Sequence, residues 1–382
     1  MEAGRKKELK QLLLDLISVD TTEGNEEAAG VVKTFLDEHG VEARFQHLQP
    51  GDANVIASLP SEVPTKHKLV LSGHLDVVPP GDLASWKKCK PFEPQEHGDL
   101  IYGRGSADMK GGVVSIIGAL LELAEQDKFE REIIFLGTAD EESGMNGSKK
   151  YIAEFSPVDV DFYVITEPTD LKLGVAEKGI LWLELLFRGK SSHGSRPDLG
   201  RNAIRMATRS LETIERLLPN NEHGILGKST MNTGVIRGGT KINVVPDECR
   251  IEVDFRLVPG VEGPDFLELI ERALLLELGP ESFQTAVPLE LPAIETPLNH
   301  PFVSVFKEVT GELLRSQELI GLSYATDAGI LCPFNKTPFL LFGPGDPAVI
   351  HAPDEFINFK DVVKASQCLA ETVKRYCSTA KE

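Results

Sequence analysis

The chain contains 382 residues, enough for two domains, and its 40 basic and 59 acidic side chains give a formal net charge of −19. This acidic balance argues against nucleic acid and anionic membrane surfaces as partners, because both attract proteins rich in Lys and Arg. The five cysteines include no Cys-x-x-Cys pair, which predicts neither a disulfide framework nor a thiolate metal site.

Helical and strand-like apolar patterns alternate through the first half of the chain. The predicted helices are 9–17, 26–36 and 109–124. The predicted strands are 41–48, 54–59, 68–72, 133–139 and 161–166. The last three contain continuous apolar runs, as buried parallel strands do, so we predict a parallel or mixed sheet in an α/β fold. We expect a cytoplasmic protein, because the charged N-terminus lacks the apolar core of a signal peptide and no apolar stretch reaches the length of a membrane span.

A second pattern begins near Lys178. Its predicted elements, in order, are strand 180–187, helix 201–218, strands 230–237 and 248–258, helix 264–278 and strand 283–289. The order β-α-β-β-α-β is that of the ferredoxin-like sandwich, which predicts an inserted α+β domain at residues 178–295. Residues 1–177 and 296–382 would then form one discontinuous domain, completed by a strand at 337–342 and a helix at 359–376.

Each of the three continuous apolar runs ends in acidic or histidine residues. His74 and Asp76 follow the first run, Glu141 and Glu142 the second, and Glu167 the third. Ligands of open α/β sheets bind outside the carboxyl ends of the strands, so these side chains are expected to converge. Asp76 faces the same way as His74 on an extended segment and can fix the orientation of that ring. Glu141 and Glu142 diverge, so that one can bind a metal while the other accepts a proton.

Asp108, which follows a glycine-rich segment, and His351, which follows a Gly-Pro-Gly turn, are the remaining candidates for the same site. Each candidate taken alone is equally explained as a turn, a cap or a solvated loop residue. Together they favour a metal pair, because converging carboxylates repel unless a positive charge neutralises them. Two His with three carboxylates suit zinc, cobalt or manganese. Such a pair, roughly 3.5–4 Å apart, can hold a bridging hydroxide beside a carboxylate base, which predicts amide hydrolysis.

These residues resemble the motifs of the dinuclear zinc amidohydrolase and exopeptidase family. That family contains N-acetylornithine deacetylase, succinyl-diaminopimelate desuccinylase, aminoacylase and glutamate carboxypeptidase. The resemblance covers essentially the whole chain and rests on segments in a fixed order. They are 72–79 (SGHLDVVP), 102–112 (YGRGSADMKGG), 139–144 (ADEESG), 167–169 (EPT), 343–345 (GPG) and 351–355 (HAPDE).

The resemblance assigns all five metal ligands. It implies that Asp108 bridges two divalent ions, zinc first, with cobalt or manganese as alternatives. His74 and Glu167 would complete one metal site, and Glu142 and His351 the other. It also implies a cis peptide bond after the bridging aspartate.

The resemblance also assigns catalytic residues. Glu141 would be the general base, and Asp76 would orient His74. Segment 191–197 of the inserted domain matches the family segment whose histidine, here His193, reaches an active site and stabilises the tetrahedral oxyanion, often across a dimer. The inserted domain would therefore be a lid and dimerisation domain, and the discontinuous domain the catalytic one.

Substrate contacts follow from three further segments. Segments 241–246 and 254–256 match those that hold the substrate carboxylate, which assigns Asn243 and Arg256 to substrate binding. Arg suits that task because its planar fork pairs with a carboxylate. Loop 324–329, which contains Thr326, lines the substrate pocket in the family. It reads YATDAG here, whereas desuccinylases typically show a Gly-Thr-Ser-Asp-Gly type of segment.

We therefore expect a homodimeric, cytoplasmic enzyme that hydrolyses a small N-acyl amino acid. Acetylornithine-type deacylation in amino-acid biosynthesis is the first hypothesis. The alternative is a metallo-exopeptidase, a dipeptidase or carboxypeptidase, that uses the same metals on short peptides. A non-catalytic binding protein of the same fold is the third hypothesis. The presence of Glu141 beside all five ligands argues against it.

Overall fold

A computed structural model describes residues 1–61, 67–125, 129–155, 159–333 and 336–377. In chain order, its strands β1 to β18 are Ala43–Gln49, Asp52–Leu59, Lys68–His74, Gln95–His97, Leu100–Tyr102, Glu132–Thr138, Val160–Ile165, Leu173–Glu177, Gly179–Arg188, Glu222–His223, Gly227–Lys228, Thr230–Gly238, Glu248–Leu257, Phe283–Leu291, Ile294–Glu295, Leu319–Leu322, Phe339–Leu341 and Phe356–Asn358. Its α-helices α1 to α9 are Ala3–Ser18, Glu26–Glu38, Gly111–Ala124, Asn146–Glu154, Ala203–Leu217, Gly263–Leu278, Pro301–Leu314, Ala328–Leu331 and Phe359–Cys377. Across these described ranges, every helix is too short or too polar to cross a lipid bilayer.

The chain divides into two compact units. Unit 1 contains Met1–Val175, Thr296–Ile320 and Thr326–Glu382, and unit 2 contains Ala176–Glu295 and Gly321–Ala325. The predicted division places its boundaries within two residues of these but assigns residues 321–325 to the first domain. That assignment needs correction, because the Leu322 carbonyl in this segment accepts the backbone N–H of Lys178 in unit 2.

Unit 1 is built on a mixed sheet with the strand order β1-β2-β6-β3-β7-β17-β8. The central strands β6, β3, β7 and β17 are parallel, and the strands towards both edges pair antiparallel. Leu69 and Leu71 face a core shared with α1, α3 and α9, while Val70 between them is buried on the opposite face. This burial of both faces explains the continuous apolar runs and confirms the predicted α/β fold.

The parallel register brings the predicted ligand segments to one edge of this sheet. His74 at the end of β3 pairs with Thr138 at the end of β6, and Ser72 pairs with Ile165 at the end of β7. The residues that follow these strands therefore leave the sheet side by side.

Helix α3 begins later than predicted. It starts at Gly111 instead of residue 109, because Asp108 and Met109 have non-helical backbone angles (φ −122°, ψ 97° and φ −131°, ψ 35°). The peptide bond between them is cis, as the family resemblance implies.

Unit 2 contains the four-stranded antiparallel sheet β12-β13-β9-β14, with helices α5 and α6 between its strands in the chain. Leu181, Leu183 and Leu185 of β9 are buried in a core with these helices, while Trp182 is partly exposed. The element order is the predicted β-α-β-β-α-β sandwich. Its role as a lid or dimerisation domain stays a prediction.

Gly112 provides a test of how tightly α3 packs on the sheet. A Cβ atom there would lie 2.2 Å from the Thr166 carbonyl oxygen, whereas a Cβ at Gly30 in α2 would meet nothing within 4 Å. We expect Gly112→Ala to lower the free energy of unfolding by about 1–3 kcal/mol. The control Gly30→Ala should raise it by roughly 0.5–1 kcal/mol. Urea unfolding measures both, and a Gly112→Ala protein as stable as the parent would contradict this packing.

Candidate metal centre

The Asp108 carboxylate lies between two imidazole rings. It is 6% exposed, with Oδ1 3.2 Å from Nε2 of His74 and Oδ2 3.1 Å from Nε2 of His351. The same nitrogen of His351 is 3.1 Å from Oε1 of Glu142. The two oxygens of Asp108 therefore face two different imidazole nitrogens. A carboxylate that bridges two cations needs this arrangement.

The donor set fits a divalent metal. Ligand atoms of His74, Asp108 and Glu142 all lie within 4.8 Å of one another. Glu167 is buried, and its pKa is raised well above the usual value, first by burial and then by the negative charge of Asp108. The structure thus brings all five predicted ligands, His351 included, into one neighbourhood. Nitrogen and oxygen donors of this kind suit zinc, cobalt or manganese. That all five residues bind metal stays a prediction.

The charges of these groups are strongly coupled. Burial raises the pKa of Asp108, but the hydrogen bonds that it accepts from His351 and His74 outweigh burial and leave that pKa below its usual range. Conversely, the hydrogen bonds that His351 donates to Asp108 and Glu142 raise the pKa of His351 to about 10. In the protein chain alone, therefore, imidazolium groups partly neutralise the carboxylates.

Glu141 lies beside this cluster and differs from Glu142 in its surroundings. Removal from bulk water raises the pKa of Glu141 well above the usual value, and His74 opposes that shift. The charges of Glu167, Asp327 and Glu142 raise it further. A carboxylate with a raised pKa near an imidazole is suited to accept and release a proton.

His74 obtains its orientation from a backbone carbonyl. Its Nδ1 is 3.0 Å from the carbonyl oxygen of Asp76, and a carbonyl can only accept, so Nδ1 donates to it and Nε2 is the nitrogen that faces Asp108. The Asp76 carboxylate is farther from this ring, with Oδ1 3.8 Å from Nδ1, and its role in orienting His74 stays a prediction. That carboxylate accepts the backbone N–H groups of Glu141 (3.1 Å) and Glu142 (3.0 Å).

A buried asparagine holds the same acidic turn from the other side. The Asn54 side chain accepts the N–H of Ala139 at 3.0 Å and donates to the carbonyl of Gly147 at 2.9 Å. With Asp76 bound to the N–H groups inside the turn, residues 139–147 are fixed at both ends and in the middle. The directions of Glu141 and Glu142 are therefore set by the backbone.

The predicted oxyanion residue His193 lies in unit 2. Its Nδ1 accepts the backbone N–H of Ser195 at 3.2 Å and lies 2.8 Å from the Ser195 hydroxyl, which places the ring proton on Nε2. The segment around it pairs with the predicted substrate segment, since Gly194 donates to the carbonyl of Asn243 at 2.8 Å. His193 and Asn243 are thus close in the fold, although far apart in sequence.

Arg256, also in unit 2, lies on the outer face of the sheet. Its Nε is 3.0 Å from Oδ1 of Asp254, and the same carboxylate accepts the indole N–H of Trp182. This contact fixes the guanidinium plane through Nε. The roles of Asn243 and Arg256 in substrate binding stay predictions.

Loop 324–329 contains the predicted substrate residue Thr326 and, next to it, the buried carboxylate of Asp327. Thr326 is buried, and its hydroxyl accepts the N–H of Ala328 at 3.1 Å. Its contact with substrate stays a prediction. Asp327, which the sequence did not mark as a site residue, is buried, and its carboxylate accepts a hydrogen bond from the Thr138 hydroxyl at 2.7 Å. The negative charge of Asp327 also raises the pKa of Glu141.

Three further buried charged residues support the centre and were not selected from the sequence. The ammonium group of Lys110 donates to the carbonyls of Leu16 (2.9 Å) and Val19 (3.0 Å), which ties the Asp108 segment to the end of α1. Arg104 and Glu355 form a buried ion pair at 2.6 Å. Charged residues within the glycine-rich segment 102–112 were the available signal, but sequence alone does not reveal their partners.

A mixed α/β sheet with His and carboxylate side chains gathered at its strand ends is typical of metal-dependent hydrolases. The family model for peptidase family M20/M25/M40 matches residues 70–375, and the chain belongs to this family. It is 30% identical to a protein named "Probable succinyl-diaminopimelate desuccinylase" from Staphylococcus aureus (strain MRSA252), over 92% of this chain and 93% of that one. It is 32% identical to an acetylornithine deacetylase from Photorhabdus laumondii, over 94% and 92% of the two chains.

A solved structure has a similar fold. The fold is similar to that of the Bacillus subtilis YXEP protein, described as a dinuclear metal binding peptidase from the M20 family. The TM-score is 0.73 at 16% identity, covering 98% of this chain and 99% of the other. The family model and the two relatives show a metallohydrolase of the M20 type, and the predictions of family and enzyme class are confirmed.

The contact between Asp76 and the acidic turn can be tested by hydrogen exchange. We expect Asp76→Ala to increase backbone exchange across residues 139–147 and to leave strand β3 unchanged, because its carboxylate accepts from Glu141 and Glu142. Turnover should fall about 10–100-fold, as for other residues that support metal ligands. Asp82→Ala is the control, since that exposed carboxylate also accepts a backbone N–H, at Ala84. Increased exchange confined to residues 72–76 would instead favour the predicted role of the Asp76 carboxylate in orienting His74.

Metal binding should release protons and strengthen as the pH rises. The pKa of His351 is raised to about 10, above an unfolded value near 6.5, so the ring is protonated at pH 7. The contribution of this protonated ring to the stability of the metal-free fold is lost as the pH rises through 10. A cation must displace that proton. Calorimetric zinc titration of chelator-treated protein in two buffers of different ionisation enthalpy measures the release. His351→Gln should release fewer protons, and equal release by both proteins would contradict the assignment.

Proposed function

We propose that this protein is a two-metal amidohydrolase that cleaves a small N-acyl amino acid. Acetylornithine-type deacylation is the first hypothesis, and desuccinylation is a close second. The observation that carries the proposal is the Asp108 carboxylate between His74 and His351, with Glu141 beside it. The relatives named deacetylase and desuccinylase support the same class of substrate.

This geometry supports the ligand assignment that the family resemblance implies. Asp108 would be shared by the two ions, with His74 and Glu167 on one of them and Glu142 and His351 on the other. When bound, divalent cations would supply Lewis-acid polarisation of the scissile carbonyl and activation of water. We propose zinc first, with cobalt or manganese as alternatives, because the donors are nitrogen and oxygen.

Glu141 performs the proton transfers in this mechanism. Its carboxylate takes a proton from the attacking water and returns it to the leaving amine as the C–N bond breaks. Asp76 and Asn54 fix the turn that carries Glu141, so the base reaches the same position in each cycle. Its raised pKa makes the protonated form available for the second transfer.

Residues of unit 2 would recognise the substrate. The Nε2–H tautomer of His193 is the one that donates a hydrogen bond to an oxyanion. The Nε contact of Arg256 with Asp254 leaves its terminal nitrogens to bind a substrate carboxylate, with Asn243 as a further polar contact. Thr326 is proposed to line the substrate pocket, and a homodimer and a cytoplasmic location are part of the same proposal.

A metallo-exopeptidase is the second candidate. The description of the family as peptidases and the peptidase title of the YXEP structure favour it. A dipeptide and an N-acyl amino acid both present an amide beside a free carboxylate, so the same centre serves both. The two candidate functions differ in the acyl side of the amide, which is an amino acid in a dipeptide and a group such as acetyl or succinyl in an N-acyl amino acid.

Glu141→Gln tests the base separately from the metals. We expect it to keep two bound metal ions and to lose about 10²–10⁴-fold in turnover, because only proton transfer is removed. Glu142→Gln is the matched neighbour and should lose metal. The substrates are N-acetyl and N-succinyl amino acids and dipeptides, assayed with zinc and with cobalt. Faster turnover of dipeptides would favour the exopeptidase, and wild-type turnover by Glu141→Gln would remove Glu141 as the base.

A further inference from the structure

We propose that Arg104 and Glu355 form a positioning pair that holds Asp108 and His351 at a fixed separation and so sets the affinity of the metal site that these two residues share. The inference rests on the proposed two-metal function. It assigns a role to two charged residues that neither bind metal in the proposal nor carry out proton transfer.

Glu355 acts on the bridging aspartate through the backbone. Its side chain is fully buried, and Oε1 accepts the N–H groups of Ala107 (2.9 Å) and Asp108 (3.1 Å). The other oxygen, Oε2, accepts from Nη1 of Arg104 at 2.6 Å. Because one of the bonded N–H groups belongs to Asp108 itself, the Glu355 carboxylate fixes the backbone from which the bridging carboxylate projects.

Arg104 acts on the second histidine in the same way. Its buried guanidinium donates from Nη2 to the carbonyl of His351 (3.3 Å) and from Nη1 to the carbonyl of Ala352 (3.4 Å). The indole ring of Trp86 lies under it, 5.3 Å from the guanidinium carbon. Only a planar fork with several donors can bind Glu355 and both carbonyls together.

The turn that carries His351 needs such support. His351 and Asp354 have positive φ angles of 59° and 56°, which residues with side chains rarely adopt. The Asp354 carboxylate accepts the N–H groups of Lys87 and Lys88, both at 2.7 Å, so this side of the turn is also fastened. Arg104 fastens the side that carries the metal ligand.

The placement of the pair points to positioning more than to stability. A buried ion pair is weak evidence for stability, because removing both charges from water offsets much of their attraction. This pair, however, joins two ligand segments that are 251 positions apart in sequence. We therefore expect its loss to affect the metal site more than the fold.

A comparable ion pair at the other end of the sheet provides a matched control. Arg131 Nε lies 2.9 Å from Asp161 Oδ2, Nη1 donates to the carbonyl of Tyr376, and the guanidinium lies 4.7 Å from the ring of that tyrosine. Arg131 and Asp161 lie at the amino ends of β6 and β7, away from the ligands. This pair has the same kinds of contact as Arg104 but contacts no ligand segment, and its side chains are 24% and 23% exposed.

The experiment measures cobalt binding to the full-length protein by chelator competition and by the visible absorption of bound Co²⁺. The variants are Arg104→Met with Glu355→Gln, Arg104→Lys alone, and the control Arg131→Met with Asp161→Asn. We expect the first variant to bind one of its two cobalt equivalents about 10–100-fold more weakly, with an altered spectrum. Arg104→Lys should fall between it and the parent. The control should melt at a lower temperature with unchanged cobalt affinity and spectrum.

Each outcome decides a different proposition. If the parent protein binds fewer than two cobalt ions, the proposed two-metal function fails, and this inference fails with it. If the parent binds two and the Arg104 variants match it in affinity and spectrum, the positioning role is overturned while the proposed function stands. Should the double variant not fold, Arg104→Lys decides alone, because it keeps the buried charge and loses only the fork. Equal weakening in the control would also overturn the inference.

Discussion

Mutual repulsion among the carboxylates at the edge of the central sheet is the constraint on which the rest of unit 1 depends. Two unit charges 4 Å apart repel by about 4 kcal/mol at an effective dielectric constant of about 20. The summed repulsion among four ionised carboxylates, those of Asp108, Glu141, Glu142 and Glu167, would approach the net stability of a typical domain, about 5–15 kcal/mol. The fold brings these carboxylates together because the parallel strands that carry them end side by side. Their negative charge is neutralised by His74 and His351 and would be neutralised further by the proposed cations.

The same chemical group has two different uses around this centre, and its partner decides which. Asp108 and Glu142 face imidazole nitrogens, whereas Asp76, Asp354 and Glu355 each accept two successive backbone N–H groups. Charge-assisted hydrogen bonds of this kind are stronger than neutral ones, so each fixes a loop that has no regular secondary structure. The acidic composition of the chain thus partly reflects carboxylates that build the site without binding metal.

The sequence predicted the features that depend on local pattern and did not predict those that depend on tertiary approach. Strands β3, β6 and β7 were recognisable because both of their faces are buried, and the acids that follow them were therefore recognisable as a cluster. The hydrogen-bond partners of the Asp76 carboxylate were not recognisable, because they depend on how closely the turn after β6 approaches Asp76. Arg104 and Glu355 are far apart in sequence, and no periodic pattern connects them. The late start of α3 likewise depends on the backbone at Asp108, which Glu355 holds.

The residues proposed to determine the reaction and those proposed to determine the substrate lie in different parts of the chain. The candidate ligands and Glu141 belong to unit 1, whereas Asn243 and Arg256 belong to unit 2. Two relatives with different named acyl groups are almost equally similar to this chain, at 30% and 32% identity. Overall similarity therefore reflects the shared metal chemistry, and the choice of acyl group must come from a few positions. We propose loop 324–329 as the first of these, because it departs from the desuccinylase pattern and contains Asp327, whose negative charge raises the pKa of Glu141.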